Sequence, residues 1–171
     1  MIEYFASALL ALLTFAAWWD LRVHRIPNAL PLAVVALWLG ASALGACGPP
    51  LAGFATGAIL LAAGIAVWRF GWLGGGDVKL IAALGLWAGP ANVDALLLGT
   101  ALAGGGLALA AYACAKLLES PAFLYAYAVA GRLLPPIAGM PGLTAWRAHG
   151  LPYGVAVAAG GGWLVHRLLA A

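Results

Sequence analysis

Long apolar stretches separated by short polar segments run along the whole chain. A helix that crosses a membrane needs roughly 20 mainly apolar residues, and several stretches approach that length. The uncharged region over residues 29–68 is too long for one crossing, and the turn signal Cys47-Gly48-Pro49-Pro50 divides it into a helical hairpin. The pattern predicts six membrane-spanning helices, over residues 2–19, 29–46, 51–68, 78–89, 93–115 and 151–165.

The segment before the last predicted helix is less regular, with prolines at positions 121, 135, 136 and 141. Within it, residues 121–134 are apolar enough to enter the membrane, but we favour an interfacial or cytoplasmic helix there. The spacing of Gly85 and Gly89 is typical of closely packed membrane helices. The predicted fold class is an all-α, polytopic membrane helix bundle with about six transmembrane helices, forming a single membrane-embedded domain over residues 1–171.

Composition supports lipid as the main solvent of this protein. The 171 residues are 65% hydrophobic and 8% charged, whereas about a quarter of a soluble domain is charged. The net charge of +3 comes from basic residues scattered singly, which does not indicate nucleic-acid binding. With the N-terminus outside, the predicted inner loops hold seven of the eight Lys and Arg residues. That distribution obeys the positive-inside rule.

Two acidic residues lie at the ends of predicted helices on the cytoplasmic side of this topology. Asp20 lies at the C-terminal end of the first helix, and Asp77 lies at the start of the fourth. Ionisable residues at membrane depth are energetically expensive and are usually functional. An N-terminal capping role would explain Asp77, but a carboxylate at the C-terminal end of a helix opposes the helix dipole, so capping does not explain Asp20.

Metal binding is the weaker interpretation of this region. His24 lies four residues after Asp20, but the segment holds only one histidine and is interrupted by Pro27. The two cysteines, Cys47 and Cys114, form no CxxC pair. We therefore expect no metal and no cofactor.

The residues flanking the two aspartates form recognisable motifs. Arg25-Ile26-Pro27-Asn28 follows Asp20, while Gly74-Gly75-Gly76-Asp77 is followed by Val78-Lys79. Glycines allow a close approach of backbone segments. A GxGD string is a weak signal alone, but it is much more specific when an Asp-x4-Arg-Ile-Pro-Asn segment follows the first helix.

On these motifs the sequence resembles the type IV prepilin peptidases, which are GxGD-type intramembrane aspartic proteases, and especially their short branch associated with tight-adherence (Flp-type) pili. The late segment Pro152-Tyr153-Gly154 also matches a feature of that branch. The resemblance implies that Asp20 and Asp77 are the catalytic pair. It further implies supporting roles for neighbouring motif residues, namely Gly74, Gly76, Lys79, Arg25, Pro27 and Asn28.

The resemblance also implies the substrate and the location. The expected substrate is the N-terminal leader of a prepilin or pseudopilin, cut at the cytoplasmic face of the bacterial inner membrane. Larger members of the family methylate the new N-terminus through a domain with paired cysteines. Because this chain has no such cysteine pair, we expect cleavage without N-methylation and no separate methyltransferase or soluble domain.

Two other interpretations stay open from the sequence. The protein could be a small non-enzymatic transporter, or a scaffold of a secretion complex, with Asp20 and Asp77 in an ion path. Transporters are usually built from internal repeats, and neither motif occurs twice here. Presenilin-like proteases also use GxGD, but they carry a late Pro-Ala-Leu motif that is absent from this sequence.

Overall fold

The computed structural model describes residues 1–121 and 151–170, and within them every regular element is an α-helix. The described helices are α1 (Ile2–Val23), α2 (Ala29–Ala43), α3 (Pro50–Arg69), α4 (Gly75–Glu119) and α5 (Tyr153–Ala170). Residues 1–104 and 153–171 form one compact unit, and residues 105–152 form a second. The candidate site lies entirely in the first unit.

Three of the described helices are long and apolar enough to cross a membrane: Ile2–Val23, Pro50–Arg69 and Gly75–Leu117. A fourth, α2, is apolar but shorter, at 15 residues. The all-helical class and the membrane character are therefore confirmed. The count of six spans and the outward N-terminus stay predictions, and residues 122–134, whose depth in the membrane was left open, lie outside the described residues.

The chain reverses its direction inside α4. Gly89 is non-helical, with φ 55° and ψ −174°, and Pro90 follows it. Before this break α4 runs in the same direction as α5, because Gly76 and Gly154 both lie beside Ile26 and, further along, Leu84 lies beside Gly161. After the break it returns along α5, because Gly99 lies beside Gly160 and Gly104 lies beside Tyr153. Separate fourth and fifth segments, divided just before Pro90, were thus correctly predicted.

Close contacts between helices occur where glycine replaces a side chain. A methyl group placed on Gly85 would meet the Cα of Gly57 in α3 at 3.1 Å and Cδ1 of Leu60 at 2.7 Å. Gly85 therefore has the close-packing role that its spacing predicted. For Gly89 that prediction is wrong: nothing lies within 4 Å of its Cβ position, and its positive φ serves the reversal of the chain.

The α1 helix presents one continuous buried stripe to the rest of the bundle. Its buried residues recur every three or four positions, as expected for one face of a helix; they are Ala6, Leu9, Leu13, Ala16 and Asp20. The helix continues three residues beyond Asp20, to Val23, so the predicted end at Asp20 is wrong by one turn. The aspartate extends the core-facing stripe and lies inside the last turn.

Five helix ends meet at one end of the first unit. The C-terminal end of α1 lies beside the N-terminal end of α5, because the Gly154 amide donates a hydrogen bond to Asp20. The N-terminal ends of α2 and α4 are joined by Asn28 and Lys79. The C-terminal end of α3 is also here, since the Cβ position of Gly75 lies 3.5 Å from Nε1 of Trp68. We call this region the aspartate end.

We predict that Gly85→Ala destabilises the bundle by about 1–3 kcal/mol, because the added methyl group overpacks the contact between α3 and α4. Thermal unfolding in detergent micelles, followed by circular dichroism, measures the effect. Gly162→Ala is the matched control, since nothing lies within 4 Å of that Cβ position. Equal melting temperatures for the two variants would contradict the close packing at Gly85.

Candidate active site

Asp20 is buried, with 4% of its surface exposed. Its Oδ2 accepts a hydrogen bond of 2.8 Å from the amide of Gly154, and the next amide along the chain, that of Val155, also acts on the carboxylate. Both amides belong to the first turn of α5, where N–H groups have no partner within their own helix. The positive end of the α5 dipole also favours a carboxylate at this position. Asp20 thus caps a helix that begins 133 residues later in the chain.

Asp77 lies in the first turn of α4 and is also buried, with 8% of its surface exposed. Its carboxylate accepts a hydrogen bond from the amide of Gly74, the residue before the helix. An acidic side chain that reaches back to the N-cap amide is one half of a capping box. A methyl group on Gly74 would lie 2.7 Å from Oδ2 of Asp77. The first motif glycine therefore leaves room for this carboxylate to fold back.

A shared register places the two aspartates in one layer of the bundle. Leu13 and Leu84 both lie beside Gly161, where an added methyl group would meet their Cδ1 atoms at 2.8 and 3.1 Å. Asp20, Asp77 and Gly154 lie on the same three helices, each two helical turns from this layer, or about 10 Å along the helix axis. The charge of Asp20 acts directly on Asp77. The structure therefore brings the two predicted catalytic residues together.

Ile26, in the loop between α1 and α2, lies between Gly76 at the start of α4 and Gly154 at the start of α5. A methyl group on Gly76 would meet its Cβ at 2.9 Å and its carbonyl oxygen at 3.1 Å. On the other side, a methyl group on Gly154 would meet its Cδ1 at 2.9 Å. The second motif glycine therefore permits the loop to pack directly on the start of α4.

A hydrogen bond between side chains joins the end of the α1–α2 loop to the first turns of α4 at the surface. Nζ of Lys79 donates to Oδ1 of Asn28 at 2.8 Å, across 51 residues of sequence. Both residues were predicted to support the motif, and the structure places them together. Of the two other predicted supporting residues, Pro27 accepts a hydrogen bond from the Leu30 amide through its carbonyl oxygen, whereas Arg25 is exposed at the surface. Their roles in the site stay predictions.

The sequence interpretation missed three contributors to this site: Ile26, Gly154 and Val155. Ile26 was quoted only as part of its motif, and the late Pro-Tyr-Gly segment was noted without a role. The one available signal was the spacing of the apolar residues in α1, which puts Asp20 on the buried stripe and requires a buried partner.

Among the residues that the structure describes, no group of three or more His, Cys, Asp and Glu side chains could hold a metal ion. His24 ends α1 in the left-handed conformation, with φ 52°, and its amide donates a 2.9 Å hydrogen bond to the carbonyl oxygen of Asp20. In this arrangement the histidine terminates the helix that carries Asp20.

A membrane protein whose described elements are all helices, and whose two buried carboxylates lie in one layer at one end of the bundle, has the features of a membrane-embedded hydrolase. Comparison with known families identifies which one. Residues 7–109, more than half of the chain, match the type IV leader peptidase family, and the chain belongs to that family. The match includes Asp20, Asp77 and both flanking motifs but ends before α5. Comparisons with curated proteins and with solved structures found no match.

Two neighbouring glycines of the motif provide a test of this geometry. We predict that Gly76→Ala lowers leader cleavage at least about tenfold, because its methyl group would push the backbone of Ile26 away from α4 and displace groups whose placement governs the rate. Gly75→Ala is the matched control, since its methyl group would make only an ordinary 3.5 Å contact with Trp68.

Cleavage is measured as the ratio of processed to unprocessed pilin in cells that co-express enzyme and substrate, at equal enzyme levels on immunoblots. Equal processing by the two alanine variants would show that the contact between Gly76 and Ile26 does not position the site.

Proposed function

We propose that this protein is an aspartic endopeptidase that removes the N-terminal leader of prepilins or pseudopilins at the cytoplasmic face of the inner membrane, without N-methylation. One observation carries the proposal: Asp20 and Asp77 are both buried in the same layer at the aspartate end. Membership of the leader peptidase family supplies the general activity. The carboxylate pair supplies a chemical means of performing it.

Two adjacent carboxylates do not ionise together at low cost, so they share one proton between them. The ionised carboxylate takes a proton from a water molecule as that water attacks the scissile carbonyl carbon. The protonated carboxyl group donates its proton to the carbonyl oxygen, which gives a tetrahedral diol. As the C–N bond breaks, the protonated carboxyl group gives its proton to the departing nitrogen, and the other carboxylate takes a proton from one hydroxyl of the diol. The products are a carboxylic acid and an amine, and the pair again holds one shared proton. The pair acts as a unit, and neither member is assigned a fixed role.

The distribution of positive charge supports a cytoplasmic location for the aspartate end. The first unit contains five Lys and Arg residues. Four of these belong to segments at the aspartate end, namely Arg22, Arg25, Arg69 and Lys79. The fifth, Arg167, lies in the last turn of α5, at the opposite end. Positively charged residues near the ends of membrane helices collect on the cytoplasmic side.

Aromatic residues support the position of this end at a membrane surface. Trp18 is exposed in the penultimate turn of α1 and Trp68 in the last turn of α3, and Phe70 and Trp72 are exposed just after α3. Arg22 lies over the ring of Trp18, with its Cζ 4.8 Å from the ring centroid. Tryptophan is enriched where a membrane meets water. A site at this depth suits a substrate whose leader is in the cytoplasm and whose following helix is in lipid.

The cysteine content supports cleavage without methylation. The family resemblance associates methylation with paired cysteines in an additional domain, whereas Cys47 and Cys114 of this chain are far apart in sequence. A methylation assay on the cleaved pilin tests this part of the proposal separately from cleavage itself.

We predict that Asp20→Asn and Asp77→Asn each lower leader cleavage by roughly 100-fold or more, because an amide neither accepts nor donates the proton that the reaction requires. Asp94→Asn is the matched control: Asp94 is exposed and lies just after the Gly89 reversal, far from the aspartate end. Cells co-expressing a prepilin with each variant report leader removal as a shift in gel mobility.

The proposal requires the two site variants to accumulate unprocessed prepilin while Asp94→Asn behaves like the wild type. Substantial processing by Asp77→Asn, at wild-type levels of the protein, would contradict the aspartic mechanism.

A further inference from the structure

We propose that the N-terminal turn of α5 is a positioning element of the active site: the amide of Gly154 holds the Asp20 carboxylate, and the missing side chain of Gly154 leaves the space that Asp20 and Ile26 occupy. This inference rests on the proposed function, because it concerns how the catalytic pair is arranged. It gives a role to the Pro-Tyr-Gly segment, which lies outside the part of the chain that matches the family.

The electrostatic environment that α1 gives to Asp20 is unfavourable, and α5 offsets it. A carboxylate in the last turn of α1 faces the negative end of the dipole of its own helix, which disfavours the ionised form. Burial adds a desolvation cost, because the surrounding helices replace water. The first turn of α5 offsets both effects with the directed N–H group of Gly154, the neighbouring amide of Val155 and the positive end of a second dipole. Without α5, neither the ionised carboxylate nor its orientation would be supported at this depth.

The space around Gly154 is too small for a side chain. An added methyl group would lie 2.8 Å from Oδ2 and 2.9 Å from Cγ of Asp20, as well as 2.9 Å from Cδ1 of Ile26. All three separations are shorter than normal contacts between carbon and its neighbours. Asp20 is hydrogen-bonded and buried, so it is not free to rotate away without losing its amide partners. Any side chain at position 154 therefore displaces the carboxylate or moves α5.

Packing against α1 and α4 holds α5 in a fixed register. Two turns beyond Gly154, Gly161 packs against Leu13 and Leu84, which are almost fully buried. The same three helices therefore meet in both layers. Ile26 contacts Gly76 at the N-terminus of α4, which carries Asp77, and Gly154 at the N-terminus of α5, which binds Asp20. The Ile26 residue therefore sets the separation of these two helix ends. Because α5 is anchored along its length, its first turn is a fixed reference for Asp20.

The test compares two alanine substitutions in α5 in the purified full-length enzyme, with a synthetic leader peptide as substrate. Gly154→Ala is the test variant, and Gly162→Ala is the matched control because nothing lies within 4 Å of its Cβ position. We expect Gly154→Ala to lower kcat by about 100-fold with KM changed less than about twofold, because a displaced catalytic group impairs the reaction and not the binding. We expect kcat of Gly162→Ala, per folded molecule, to stay within about threefold of the wild type.

The pH dependence of kcat/KM separates positioning from a loss of folded protein. Its limbs report the ionisation of the catalytic pair in the free enzyme, so a change in the hydrogen bonds of Asp20 moves a limb. A smaller folded fraction lowers the whole profile without moving it. The proposal would be overturned if the pH profile of Gly154→Ala were lower than that of the wild type at every pH but had the same limbs. A kcat of Gly154→Ala equal to that of Gly162→Ala would also overturn it.

A second measurement covers the case in which Gly154→Ala does not fold. In a chain whose Cys47 and Cys114 are replaced by alanine, the pair Asp20→Cys and Gly154→Cys is oxidised in native membranes. The 2.9 Å between Cγ of Asp20 and the Cβ position of Gly154 resembles the separation of a sulfur from the opposite Cβ in a disulfide. We expect rapid cross-linking of this pair and none of the pair Asp20→Cys and Gly162→Cys. No cross-link at position 154 would overturn the proposed contact.

These outcomes are distinguishable from a failure of the proposed function. If Asp77→Asn cleaves normally, the aspartic mechanism fails, whatever the Gly154 variants do. If Asp20→Asn and Asp77→Asn are inactive but Gly154→Ala is fully active, the catalytic pair stands and only the positioning role of α5 is wrong.

Discussion

The hydrogen bond from the Gly154 amide to the Asp20 carboxylate is the interaction on which the site depends most directly. A buried carboxylate is costly unless its oxygens are hydrogen-bonded, and α1 alone offers Asp20 only the unfavourable end of its own dipole. The last described helix meets this need with its unpaired N-terminal amides. The need of the Asp20 carboxylate for hydrogen-bond donors thus specifies that the N-terminal end of α5 lies beside it. This contact joins the first and the last described helices.

Close approach of backbones is the second physical constraint, and it explains the glycines in functional terms. Gly76 lets the Ile26 backbone contact α4, while Gly154 gives Asp20 and the tip of Ile26 their space. In lipid, helices gain little from the hydrophobic effect when they associate, so packing and hydrogen bonds decide the arrangement. The layer of Leu13, Leu84 and Gly161 supplies that packing, and the aspartate layer follows from the same register two turns away.

The sequence was sufficient to predict the elements, because hydropathy and turn signals report directly on membrane helices. It also predicted the aspartate pair, since GxGD and Arg-Ile-Pro-Asn are local motifs. Local patterns did not reveal that α1 continues past Asp20, or that Gly89 itself takes the non-helical conformation at which the chain reverses. Nor did they reveal Ile26 and Gly154, because both act through contacts between segments distant in sequence, and only the folded register of α1, α4 and α5 defines those contacts.

The most direct test of the account is a double-mutant cycle on purified enzyme with a leader peptide, comparing Asp20→Asn, Asp77→Asn and the combination of both. Catalytic groups that act as a unit give strongly non-additive losses. The account predicts that each single substitution lowers kcat about as much as the double substitution does. Additive losses, or substantial activity in either single variant, would show that the two carboxylates do not form one catalytic pair.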